Sequence, residues 1–150
     1  MSAHSLQDLA AQFCTYTGVA TPRLGADDDG VIAFSTVIDG VAVTVANDPL
    51  QRAGDILVCV YFGELPAERE ADVMRGLLHA NFLMQAPDGA SFGVDPGSRE
   101  VVLKSLLPMA EITGESLHEG MRRAVELVRQ WRADPFHEPA RGEVTSADYA

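Results

Sequence analysis

The most constraining feature of this chain is Asp39-Gly40, set between two apolar, β-branched runs, VIAFSTVI (31–38) and VAVTVA (41–46). Asp-Gly suits the two central positions of a type I′ turn, where both residues need positive φ, and that turn matches the twist of two paired strands. A two-residue turn also fixes the register. Ile38 must face Val41, Thr36 must face Val43, and Phe34 must face Val45, all on one side of the hairpin. Val37 with Ala42, Ser35 with Thr44, and Ala33 with Ala46 then line the other side. A one-residue slip would exchange the two sets. The first set is bulky and predicts the core face; the second is small yet still rather apolar.

The remaining segments are legible around this hairpin. ILVCVYF (56–62) predicts a third strand, with Ile56, Val58, Val60 and Phe62 on one side and Leu57, Cys59 and Tyr61 on the other. It is apolar on both faces and therefore wants cover on both. Upstream, residues 5–17 form an amphipathic pattern through Leu6, Leu9, Ala10, Phe13 and Cys14, with Ser5 as a cap and Gly18 as a stop. Leu65 and Pro66 open a second helix whose apolar positions, Val73, Met74, Leu77, Leu78, Ala80 and Phe82 among them, spread over more than one stripe, and Pro87-Asp88-Gly89 is expected to end it. A strand over 90–95, a turn at Pro96-Gly97 and a strand over 101–107 ending at Pro108 follow. In a third helix over 114–133, Leu117, Met121, Ala124, Val128 and Trp131 form a single packing stripe. The expected domain is 1–133, with 134–150 a loose, aperiodic tail. The order α-β-β-β-α-β-β-α predicts an α+β domain: a five-stranded antiparallel twisted sheet with three helices, mostly on one face.

Glycines at 89, 93 and 97 invite comparison with phosphate-binding loops, but a P-loop needs glycine followed directly by lysine and a hydroxyl residue at the start of a helix. Here Lys104-Ser105 lies within a strand pattern, and no helix follows the glycines. The glycines suit a helix exit, a strand and a tight turn. Asp27-Asp28-Asp29 is consecutive, whereas calcium loops space their oxygens at alternate positions. His4, His79, His118 and His137 are scattered, and Cys14 and Cys59 belong to no CxxC pair. The sequence therefore predicts no catalytic residues, no metal and no cofactor. A formal net charge of −11 on 150 residues argues against nucleic acid and anionic membrane surfaces as partners. Neither a signal-peptide pattern nor an apolar run of membrane-spanning length is present, which predicts a soluble, cytoplasmic protein.

What remains is apolar surface in excess of what three helices on one face of the sheet would cover, and surplus apolar surface marks interaction sites. The region LLHANFLMQAPDGASFGVDPGSREVVLKSLLPM (77–109) carries a pattern that resembles the class I type III secretion chaperones, the Tir chaperone family. The resemblance rests on the Leu77–Asn81 helix end, the turn at Gly89, the strand Ala90–Asp95, and the strand from Val101 that ends at Pro108. Trp131-Arg132, at the end of the third helix, is similar too. Two departures are the polar segment after Ala133 and Met84-Gln85 after the second helix.

The resemblance implies a homodimeric, cytoplasmic bacterial chaperone without ATPase activity, which binds the N-terminal segment of a secreted effector in extended form and keeps it soluble and export-competent. On that reading, Phe13, Val37, Leu57, Cys59 and Tyr61 are the candidate client contacts, and Val73, Leu77 and Ala80 the candidate dimer contacts. The parity of the third strand that faces outward is left open by the sequence. The alternative is a regulatory or sensory interaction module with the same fold and no secretion client.

Overall fold

A computed structural model of the chain describes residues 3–86 and 89–134. The expected tail at 134–150, apart from Asp134, lies outside the described residues, as do Pro87 and Asp88 of the expected helix stop. The elements run α1 (Leu6–Thr17), β1 (Ile32–Ile38), β2 (Val41–Asn47), β3 (Asp55–Glu64), α2 (Glu70–Phe82), β4 (Ser91–Val94), β5 (Glu100–Pro108) and α3 (Gly114–Ala133). The five strands form one antiparallel sheet in the order β1-β2-β3-β5-β4.

The β1–β2 register is the one dictated by the turn, from Ile38↔Val41 to Ala33↔Ala46. Asp39 and Gly40 have φ of 50° and 81°, the positive values a type I′ turn requires. Phe34, Val41, Val43 and Val45 are buried and Val37 is exposed, so the bulky set faces the core. In β3 the buried parity is Ile56, Val58, Val60 and Phe62. The β2–β3 connection is held by Asn47, a buried polar residue whose amide donates to the carbonyls of Arg52, Ala53 and Asp55. Those bonds satisfy the polar group that burial would otherwise strand.

Both α1 and α3 lie on the core face of the sheet: α3 crosses β1, β2 and β3, and α1 packs against α3 and β1. Their inward stripes are the expected ones, Leu6, Leu9, Ala10, Phe13 and Cys14 on α1 and Leu117, Met121, Ala124 and Val128 on α3. A Thr113/Ser116 capping box begins α3. The two helices approach so closely at Gly114 that an added Cβ would lie 2.4 Å from backbone atoms of Gln12 and Phe13.

The second helix differs from its expected bounds at both ends. Pro66 precedes a short 3-10 turn, Ala67–Arg69, and α2 proper begins at Glu70. Its end comes at Phe82, before the Pro87-Asp88-Gly89 stop. Met84 takes the left-handed conformation (φ 53°), its N–H donates to the Asn81 carbonyl, and the Gln85 N–H donates to the Ala80 carbonyl. This is a Schellman closure with methionine where glycine is usual.

Candidate functional site: the open face of the sheet

The face of the sheet opposite α1 and α3 carries no helix among the described residues. Cross-strand register places its side chains in rows. Ala33, Ala46, Leu57 and Leu106 form one row, and Ser35, Thr44, Cys59, Lys104 and Ser91 form the next. Tyr61, Val102 and Gly93 form a third. The hydroxyls of Ser35 and Thr44 are 3.0 Å apart, which satisfies both within the sheet surface. Val37 is 68% exposed and Leu106 50% exposed, while Leu57, Cys59 and Tyr61 are half-buried by their neighbours alone. The surface is thus shallow, with two apolar rows flanking a row of hydroxyls, and Lys104 is the one charged side chain in these rows.

Near the β4 end this face sinks into a hollow of about 300 Å³ between Cys59, Tyr61, Val102, Lys104, Gly93 and the Asp95-Pro96 turn. Lys104 is the sole lysine of the chain. Burial pushes the Cys59 thiol up from its ordinary range, against the opposing pull of the Lys104 ammonium. The thiol is therefore held neutral, where it acts as a small apolar group and a poor nucleophile.

A second apolar hollow, of about 210 Å³, lies on the core face between α3 and the β3–β5 pair, lined by Val58, Leu103, Leu107, Ile112, Leu117 and Met121 with Glu111 and Arg123 at its rim. A third apolar region is the outward side of α2. At 100° per residue, Val73, Leu77 and Ala80 share one side of this helix while Leu78 and Phe82 lie on the other. Val73 and Leu77 are buried in the chain's own core, and Ala80 is half-buried. Leu78, Phe82 and the neighbouring Met84 are 67%, 71% and 79% exposed.

The candidate residues thus separate. Val37, Leu57, Cys59 and Tyr61 come together on the open face, joined by Leu106 and Lys104. Phe13 does not join them. It is 3% exposed on the other side of the sheet, with its ring against Phe34 and His118. The burial of Phe13 leaves Tyr16 and Val19 as the exposed apolar residues at this end of α1. Val73 and Leu77 likewise lie within the fold, and the outward stripe of α2 is Leu78 and Phe82. Leu106 was recoverable from the sequence, because the alternation that buries Leu103 turns Leu106 to the opposite face. Among the described residues, no group of three or more His, Cys, Asp or Glu could hold a metal ion. No helix among them is long and apolar enough to cross a membrane.

Residues 8–132 match the Tir chaperone protein (CesT) family. No curated protein matches the chain. Among solved structures, the fold is similar to a chain of the ExsC–ExsE complex, with a TM-score of 0.67 at 22% identity over 89% of this chain and 96% of that one. It is similar to a chain of the HopA1–SchA chaperone–effector complex, at 0.60 and 21% over 83% and 91%. A chain of the ExoT–SpcS complex from Pseudomonas aeruginosa gives 0.58 and 15% over 83% and 95%. At these identities the likeness is one of fold.

Proposed function

Matched over 8–132, this chain belongs to the Tir chaperone protein (CesT) family, and from that premise we propose that it is a type III secretion chaperone, acting in the bacterial cytoplasm as a homodimer. It binds the N-terminal segment of a secreted effector as an extended chain, without catalysis or ATP. The family is one of chaperones and not an enzyme class. The observation that carries the reading is the open sheet face, where Val37, Leu57, Cys59, Tyr61 and Leu106 offer apolar surface that the chain's own helices leave uncovered. An extended polypeptide suits such a surface, because alternate side chains enter shallow apolar sites while main-chain groups pair with a sheet edge. Its binding would keep the client segment unfolded and shielded from aggregation. The net charge of −11 keeps an otherwise sticky protein soluble and suits a basic client segment.

For the dimer, the outward stripe of α2 with Leu78 and Phe82 is the surface of choice. Light scattering should report two chains, and Phe82→Glu should shift the assembly to one while leaving the fold intact. The decisive experiment is co-purification with an effector encoded beside the gene. Deleting about the first hundred residues of that effector, the scale of a segment that wraps a partner in extended form, should abolish binding. Undiminished binding by the truncated effector would overturn the mechanism.

A further inference from the structure

The sheet has two edge strands, β1 and β4, and the chain treats them differently. At β4, Asp95 N–H donates to the Glu100 carbonyl at 2.9 Å. Antiparallel pairing alternates, so the bonded pairs continue at Gly93↔Val102 and Ser91↔Lys104, and the main-chain groups of Phe92 and Val94 point away from β5 to the free edge. The carboxamide of Asn81, from the last turn of α2, meets both outward groups of Phe92. Its Nδ2 donates to the Phe92 carbonyl at 3.0 Å, and its Oδ1 accepts from the Phe92 N–H at 2.7 Å. One side chain thereby makes the two bonds that a neighbouring strand would make. Sheet edges left open are templates for strand addition, and the short β4 is denied that role at its centre.

At β1 the situation is reversed. The two-residue turn makes Ile38↔Val41 a bonded pair, and alternation turns the main-chain groups of Val37, Ser35 and Ala33 to the free edge. Among the described residues, the bridge Ala26↔Ile32 covers the far end of the strand. No side chain plays the part of Asn81 at Ser35 or Val37 among the bonds of the described residues.

We propose that Asn81 closes the β4 edge to strand addition and so leaves Ser35–Val37 of β1 as the edge at which an extended partner strand pairs. The pairing half rests on the chaperone reading above; the closure of β4 does not. Asn81 is a positioning residue, since it directs a partner by occupying Phe92.

Amide exchange measured by NMR on the full chain tests closure without any client. The Phe92 amide should exchange at least about tenfold more slowly than the Val37 amide, although both point off a sheet edge. Equal rates overturn the cap. Asn81→Ala should release the Phe92 amide while the Gly93 amide, bonded to β5, stays protected. It should also add concentration-dependent assemblies in light scattering, and Val94→Pro, which removes the next outward N–H, should suppress them. An Asn81→Ala chain that keeps the native assembly at every concentration overturns the protective role. In a co-purified effector complex, protection should appear at Ser35 and Val37; protection at Val94 instead would overturn the direction. If no effector binds at all, it is the chaperone reading that fails, and the exchange rates of the free chain still decide the cap.

Discussion

β3 presents two apolar faces that meet opposite fates. Ile56, Val58, Val60 and Phe62 are buried on the face that α3 crosses, while Leu57, Cys59 and Tyr61, only one residue out of phase, are half-buried in an open surface. Their chemistry is similar. What separates them is the company kept across the sheet: Phe62 meets Phe92 and Trp131 at ring distances of 5.4 and 5.8 Å, whereas Cys59 has Thr44 and Lys104 as its cross-strand neighbours. Apolar side chains on the closed face hold the fold together. On the open face they are available for a partner, and substitutions should tell the two apart.

The largest effect is expected on the closed face. Phe62→Ala removes a wholly buried ring from an aromatic cluster and should cost about 3–5 kcal/mol, a large part of a domain's stability. Chemical denaturation monitored by circular dichroism checks it. A loss below about 1 kcal/mol would mean that the closed face is not the core.

Gly114→Ala comes next. Helix propensity alone would reward alanine by up to about 1 kcal/mol. Against that, the new methyl would meet the backbone of Gln12 and Phe13, which has no flexible end to swing away. Overpacking of this kind typically costs about 1–3 kcal/mol, so the net change should be a loss, with α1 displaced from α3. A stabilised Gly114→Ala protein would show that the two helices are not in contact there.

Much of this division was legible in the sequence. The Asp39-Gly40 turn allows one register and so separates Phe34 and Val37 onto opposite faces, and the greater bulk on the Phe34 side marked that face for the core. The stripes on α1 and α3 were equally plain from spacing. The outward parity of β3 was not, since both its faces are apolar and only tertiary packing chooses between them. The same holds for α2: its two stripes follow from helical phase, but the choice of Val73 and Leu77 as the inner one depends on contact with the sheet. Phe13 was recognisable as apolar and periodic, and its burial follows from the meeting of α1 with α3, a contact 102 residues apart in sequence at the Gln12–Gly114 hydrogen bond. The end of α2 at Phe82 left no sequence signal, because a non-glycine residue, Met84, occupies the left-handed position that closes it.

On the open face, Val37→Asp and Leu106→Asp should each change stability by no more than about 0.5 kcal/mol, as expected for exposed positions. Either should weaken binding of an effector segment by tenfold or more, read by titration calorimetry, since a carboxylate would be desolvated against an apolar chain. Full affinity in both variants would remove the open face from the site.

The smallest effect is the one that measures how closed the open face already is. The Cys59 thiol is held above its ordinary range by burial, although no helix among the described residues covers it and Lys104 pulls the other way. In the unfolded chain the thiol ionises in its ordinary range, near pH 8.5. Between that pH and the higher folded value, the unfolded state has released its proton and the folded state has not, so the folded state binds more protons and stability must fall as pH rises. Below that window both states are protonated and the residue contributes no slope. Denaturation midpoints taken from neutral to alkaline pH should therefore decline more steeply for the native chain than for Cys59→Ala. The native thiol should also react more slowly with iodoacetamide than a free cysteine does, and more slowly still when an effector segment covers the face. Parallel pH slopes in the two proteins would mean that Cys59 is as well hydrated as a surface thiol, and that the open face begins, for solvent, at β3 itself.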